Sequence, residues 1–160
     1  MSNTIHQFLA TDLKGNTFDF FNLKGNKVMI VNTASKCGLT PQYEALQKLH
    51  DRYKESNFKI IGFPSNDFMA QEPGSNQEIS KFCVENYGVS FKMMGKIIVK
   101  GEDKHDVYHF LTDKSLNGKL DSQVQWNFQK YLLNENGELE KVISPYTSPL
   151  DQQIIDWIES

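Results

Sequence analysis

The stretch from Lys27 to Phe63 constrains the fold more than any other. Val28, Met29, Ile30 and Val31 form an unbroken apolar run, which suits a strand buried on both faces. From Pro41 to about Glu55, the residues Tyr43, Leu46, Leu49, His50 and Tyr53 recur near one face of a helix. Phe58 to Phe63 (F-K-I-I-G-F) is apolar again. Strand, helix and strand at this length make a βαβ unit, so the two strands are expected to run parallel.

The flanking segments carry antiparallel and helical signals. Phe8 to Phe20 reads as a hairpin turning at Lys14-Gly15-Asn16, and Lys24-Gly25-Asn26 is a second turn. Ser75, with Glu78 three residues on, makes a capping box for a helix that reaches Tyr87 and stops at Gly88. Asp106 to Leu116 reads as one helix ended by Asn117-Gly118. Gln129 to Leu133 and Leu139 to Ile143 form a late hairpin through Asn134-Glu135-Asn136-Gly137, and Pro149 to Ile158 is a closing helix. Ile97-Ile98-Val99 suits either a strand or a short buried segment. The expected class is α/β, with a central sheet of mixed strand directions flanked by helices and an N-terminal β-hairpin. Residues 1–160 are expected to form a single domain.

Composition excludes several functions. The net charge is −3 and Arg52 is the only arginine, so neither nucleic acid nor a bidentate anion clamp is indicated. No apolar run is long enough to span a bilayer, and Met1 to Ala10 lacks a basic-then-apolar signal pattern. The cytoplasm is the expected compartment, with a monomer or small homo-oligomer. There, the two cysteines, Cys37 and Cys83, would both be free at rest. Lys92, Lys96, Lys100 and Lys104 read as a solvated face in preference to a patch for an acidic partner.

Cys37 is the residue with chemistry. It lies between the end of the first βαβ strand and a helix start marked by Thr40, a capping residue, and Pro41, at home in the first helical turn. Backbone N–H groups and the positive end of the helix dipole gather at such a place and favour thiolate over thiol. Lys36 adds a cation, and Gly38 permits unusual backbone angles. An inert small residue in a tight turn is the competing reading. The residue three positions on is Thr40, so there is no C-x-x-C. A thiol used alone can attack a peroxide, becoming a sulfenic acid as water or an alcohol leaves. That step needs donors for the charge developing on oxygen, and neutral ones suit it. Gln71, in the loop P-S-N-D-F-M-A-Q-E-P-G-S, and Trp126 and Asn127, in Q-W-N-F, are the candidates. Each has a plain alternative: a solvated loop residue, a core aromatic and a strand-end turn residue.

N-T-A-S-K-C-G-L-T, F-P-S-N-D-F-M-A-Q-E-P-G and W-N-F-Q-K-Y-L-L follow one another at intervals that strongly resemble the glutathione peroxidase family, and P-Y-T-S-P (Pro145 to Pro149) extends the likeness over nearly the whole chain. The resemblance implies a thioredoxin-like fold and a peroxidatic Cys37 surrounded by Gln71, Trp126 and Asn127. It implies reduction of hydrogen peroxide and organic hydroperoxides without metal, flavin or any other bound cofactor. Many members carry selenocysteine at the Cys37 position, which implies slower attack here. Relatives often have Cys at Ser65, Gln at Asp67 and glycine directly before Gln71, where this chain has Ala70.

Cys83 falls on an apolar helical stripe with Ile79, Phe82 and Asn86, which suggests a buried structural thiol. The resemblance instead places it at the resolving cysteine of the thioredoxin-dependent branch. Sulfenic acid at Cys37 would condense with it to a disulfide that thioredoxin reopens. Bridged cysteines need Cα atoms within about 7 Å, so the helix from Ser75 to Tyr87 is expected to unwind locally. The alternatives are a glutathione-dependent peroxidase with Cys83 structural and a non-enzymatic thioredoxin-like peroxide sensor. A peroxiredoxin ranks low because Ala34 stands where a threonine would be. A metal site at His105 and His109 lacks a third ligand in the sequence.

Overall fold

The computed structural model describes residues 3–160. Of the stretch expected to lack a signal pattern, Met1 and Ser2 lie outside the described residues. A five-stranded sheet orders as β5-β4-β3-β6-β7, with β3 (Lys27–Thr33) at its centre. It pairs in parallel with β4 (Phe58–Pro64), Met29 opposite Ile60, and antiparallel with β6 (Lys130–Leu133), Ile30 opposite Tyr131. β5 (Lys92–Met93) extends β4 in parallel, and β7 (Leu139–Ile143) closes the other edge. The parallel pair and the late hairpin stand where the sequence puts them. The N-terminal hairpin, β1 (Leu9–Thr11) with β2 (Thr17–Asp19), forms its own two-stranded sheet, tied to the main body by an Asp12–Met94 bridge.

All seven residues of β3 are buried, and alternation sorts them onto two faces. Met29 and Val31 pack with α1 (Gln42–Tyr53), α2 (Asn76–Tyr87) and α5 (Gln152–Glu159), through Leu46, Cys83 and Ile154 among others. Val28 and Ile30 face α3 (Asp106–Thr112), through Val107, Tyr108 and Leu111. Both cysteines belong to the first layer. In β4, a Cβ at Gly62 would meet the Met93 side chain at 2.5 Å, so the thioether of β5 packs into the space that glycine leaves. Among the described residues, no helix is long and apolar enough to cross a membrane.

Two expectations change, and one open alternative is settled. The helix expected over Asp106 to Leu116 breaks at Asp113, an extended residue (φ −115°, ψ 112°) whose carboxylate accepts the Ser115 N–H at 2.9 Å and so starts the short α4 (Lys114–Asn117). Gly118 (φ 75°) ends it. Ile97-Ile98-Val99 is no strand: the Ile97 and Val99 N–H groups go instead to the Pro64 carbonyl and the Asp67 carboxylate. The four lysines share no solvated face. Lys92 pairs with Asp12, Lys96 donates to the Glu72 and Gly74 carbonyls, Lys100 lies over the Phe68 ring and Lys104 reaches Thr112. His105 caps α3, its Nδ1 accepting the Val107 N–H at 3.1 Å, while the His109 ring meets the Glu102 carbonyl.

Candidate active site

The turn after β3 is built around a hydroxyl. Thr40 Oγ1 donates to the Ala34 carbonyl (2.7 Å) and accepts the Cys37 N–H (2.9 Å). It therefore closes the cysteine turn and leaves α1 with Pro41 at its N-cap position and no side-chain cap. This corrects the expectation that Thr40 caps the helix. Gly38 has no left-handed backbone angle, and a Cβ there would meet nothing within 4 Å, so its freedom is not used. What the turn delivers is a backbone donor at the sulfur: the Leu39 N–H points to Cys37 Sγ at 3.3 Å. Cys37 is a free thiol, 8% exposed.

The loop after β4 docks against this turn, where the Lys36 N–H donates to the Gln71 carbonyl at 3.0 Å. Its path is strained. Met69 (φ 57°) and Ala70 (φ 51°) are left-handed, a conformation that costs a non-glycine residue roughly 1–2 kcal/mol. Ala70 thus occupies the glycine position of the resemblance and adopts a glycine-like backbone. The third non-glycine residue of this kind among the described residues is Phe128 (φ 70°), next to Asn127. Strain at the described residues is concentrated beside two candidate site residues.

Asn127 is fully buried, and its Nδ2 donates to Gln71 Oε1 at 3.0 Å. The two amides thus form a pair, with Asn127 holding Gln71 in place. In this orientation Gln71 keeps its own N–H groups to offer. Trp126 is half-buried, its ring 5.6 Å from that of Phe68. Residues 126 to 129 hang from one residue, Asn32, which the sequence did not mark as a candidate. Asn32 Nδ2 donates to the Trp126 carbonyl, Asn32 Oδ1 accepts the Gln129 N–H, and the Asn32 carbonyl accepts the Phe128 N–H. An amide directly after the apolar run Val28 to Val31 was its signal.

Cys83 lies in α2, also free and only 2% exposed. Burial pushes its thiol up to about 11; the Tyr43 hydroxyl opposes the shift and the Glu72 charge adds to it. Glu72, next to Gln71 in the chain, is buried as well, and burial raises its carboxyl against the Ser35 hydroxyl and N–H and against Lys96 and Lys36. Neither Tyr43 nor Glu72 was a candidate from sequence. A pocket of about 340 Å³ opens beside Glu72, lined also by Ser35, Lys36, Glu78 and Phe82 among others.

The chain is similar to known proteins in sequence and in fold. Residues 5–112 match the family model described as glutathione peroxidase. The chain is 45% identical to a glutathione peroxidase homolog, BsaA, of Halalkalibacterium halodurans, over 92% of this chain and 93% of that one. It is 43% identical to glutathione peroxidase-like peroxiredoxin 2 of Saccharomyces cerevisiae, over 96% of each. Among solved structures, the apo form of Trgpx superposes with a TM-score of 0.76 at 31% identity, covering 100% of this chain and 98% of that one. A thiol:disulfide interchange protein of the thioredoxin family from Chlorobium tepidum shares the fold, with a TM-score of 0.69 at 14% identity over 96% and 93% of the two chains. A thioredoxin-like sheet, a lone cysteine at its strand end and sequence likeness over nearly the full length therefore agree, and the chain belongs to the glutathione peroxidase family.

Proposed function

We propose that the protein is a thiol peroxidase that reduces hydrogen peroxide and organic hydroperoxides at Cys37. The thiolate attacks one peroxide oxygen, the O–O bond breaks, and water or an alcohol leaves with the other oxygen, so that Cys37 becomes a sulfenic acid. Gln71 and the Trp126 indole N–H donate to the oxygens as charge develops, with Asn127 fixing the Gln71 amide. The observation that carries this reading is the Leu39 N–H aimed at Cys37 Sγ beside a loop whose Gln71 is bound both to the Lys36 N–H and to Asn127.

The sulfenic acid then condenses with Cys83 and releases water, and thioredoxin reduces the disulfide. Cys83 is deep within a capped helix, so α2 opens locally for the sulfurs to meet. No bound cofactor takes part, and a reducing compartment such as the cytoplasm suits the cycle. The depth of Cys83 favours one alternative, in which Cys83 only packs and glutathione reduces Cys37 directly.

Peroxide-dependent NADPH oxidation, driven in parallel by thioredoxin with its reductase and by glutathione with its reductase, separates the two. Cys37→Ser is expected to lose turnover with both donors. Cys83→Ser is expected to consume about one equivalent of peroxide and then stall with thioredoxin. Full thioredoxin-driven turnover by Cys83→Ser would assign that thiol to packing, and any turnover by Cys37→Ser would overturn the proposal.

A further inference from the structure

The loop between β4 and α2 carries Gln71 past the left-handed bend at Met69 and Ala70. Met69 is 78% exposed and Ala70 is exposed as well, so side-chain packing does not hold the bend. A backbone conformation of this kind persists only where its surroundings over-determine it.

The hold comes from polar side chains at the start of the loop. Asn66 Oδ1 accepts the Glu72 N–H at 2.9 Å and closes the loop on itself. Asp67 ties the loop to the rest of the protein. One oxygen of its carboxylate, Oδ2, accepts both the Val99 N–H at 2.6 Å and the Ser65 hydroxyl at 2.9 Å. The Ser65 oxygen in turn accepts the Asp67 N–H at 3.3 Å. Both partners are fixed. Ser65 and Val99 are each 1% exposed, and the Ser65 N–H donates to the carbonyl of Thr33, the last residue of β3, at 3.0 Å. The segment that carries Val99 is fastened to the end of β4, where the Pro64 carbonyl accepts the Ile97 N–H at 2.9 Å. Beyond the bend, the Gln71 carbonyl accepts the Lys36 N–H and its side chain is held by Asn127. The strained pair is thus stretched between two anchors. Hydrogen bonds to a carboxylate are roughly twice as strong as those between neutral groups, so the Asp67 anchor is the one best able to resist the strain.

We propose that Asp67, braced by Ser65, is a positioning residue for the attack on peroxide: its carboxylate anchors the near end of the bend, so that Gln71 stays paired with Asn127 beside the Cys37 turn. The proposal rests on the reading of Gln71 as a donor to the peroxide oxygens. The bonds of the Asp67 carboxylate go to Ser65 and Val99, so it acts on the reaction through Gln71. Without this anchor, residues 69 and 70 relax towards the ordinary backbone regions and carry Gln71 with them.

The test compares two reactions of Cys37 in the reduced full chain. Sulfenic acid formation with hydrogen peroxide, followed by rapid quench into dimedone, uses the Gln71 amide. Alkylation by iodoacetamide uses the same sulfur but offers Gln71 no peroxide oxygen. Misplacement of a reacting group by a distant substitution costs up to about 10²-fold, and Asp67→Ala is expected to slow sulfenic acid formation about 10-fold while leaving alkylation unchanged. Asp67→Asn keeps an acceptor oxygen for Val99 and Ser65 and is expected to recover most of the rate. Ala70→Gly, added to Asp67→Ala, is expected to recover part of it, because glycine takes left-handed angles without steric cost. Asp67→Ala added to Gln71→Ala is expected to slow the reaction no further, since two residues that act through one group are not additive. If Asp67→Ala folds poorly, Ser65→Ala removes one of the two donors and should show the same pattern at smaller size.

Equal slowing of both reactions would make Asp67 a support of the whole Cys37 turn and would overturn the proposal. Additive slowing with Gln71→Ala, no recovery with Ala70→Gly, or an Asp67→Asn chain as slow as Asp67→Ala would overturn it as well. An unchanged peroxide rate in Asp67→Ala, with Gln71→Ala slow, would overturn the positioning role alone. A Gln71→Ala chain as fast as wild type would overturn the donor reading of Gln71 and the positioning role together.

Discussion

Cys37 and Cys83 belong to the same side of the same sheet, yet their surroundings are built on opposite rules. Cys37 ends a strand in a turn made of hydrogen bonds: Thr40 bridges two backbone groups, and Leu39 donates to the sulfur. The neighbouring loop is bent through left-handed residues so that Gln71 reaches the turn. Cys83 sits mid-helix among Ile79, Phe91 and Met93, with a capping box at one end of α2 and left-handed Gly88 (φ 59°) at the other. One site supplies a sulfur with a hydrogen-bond donor beside a strained loop. The other keeps a thiol protonated and stored at the cost of access.

Selective alkylation is the sharpest way to break this contrast. With iodoacetamide at pH 8, Cys83 at about 11 is ionised only to about one part in 10³, so Cys37 is expected to be modified at least about 10²-fold faster. Equal rates, read by peptide mass, would show that α2 opens freely and that Cys83 is not stored. Gln71→Ala comes next. Loss of one positioned donor typically costs about 10²-fold in rate, and sulfenic acid formation should slow by that order. An undiminished rate would move charge stabilisation onto Trp126 and the backbone.

The smallest effect is on stability. Folding raises Cys83 from 9.0 to about 11, so its contribution is fully present below pH 9 and is lost as pH climbs through 11. Two pH units correspond to about 2–3 kcal/mol. Buried Tyr43 and Tyr108 are also raised and add to alkaline unfolding, so the comparison is with Cys83→Ala. Urea titrations at pH 9 and 11 should show the variant losing less stability across this window. Identical losses would mean that Cys83 is already solvated in the native ensemble.

The elements legible in the sequence are those set by local pattern. The βαβ unit, both hairpins and the Ser75–Glu78 box follow from apolar periodicity and turn chemistry that a few neighbouring residues carry. The break at Asp113 escaped because Val107, Phe110 and Leu111 keep a helical period up to it, and an Asp two residues before Ser115 suits a cap as well as a helix interior. Thr40 was assigned to the helix because its partner, the Ala34 carbonyl, lies six residues back. The site divided in the same manner. Cys37, Gln71, Trp126 and Asn127 were marked by residue type and by the resemblance, whereas Asn32 acts on residues more than ninety positions away. Tyr43 and Glu72 were hidden by their neighbours, one inside an apolar helical stripe and the other in a polar loop.

The hold of Asn32 on residues 126 to 129 has a kinetic consequence. Its bonds fasten the segment that bears the indole and the Gln71-binding amide to the central strand, the last part of a sheet to exchange its amide hydrogens. α2 is fastened elsewhere, by its own caps and by side-chain packing. A helix held in this way can fray on its own while residues 126 to 129 keep the protection of the core.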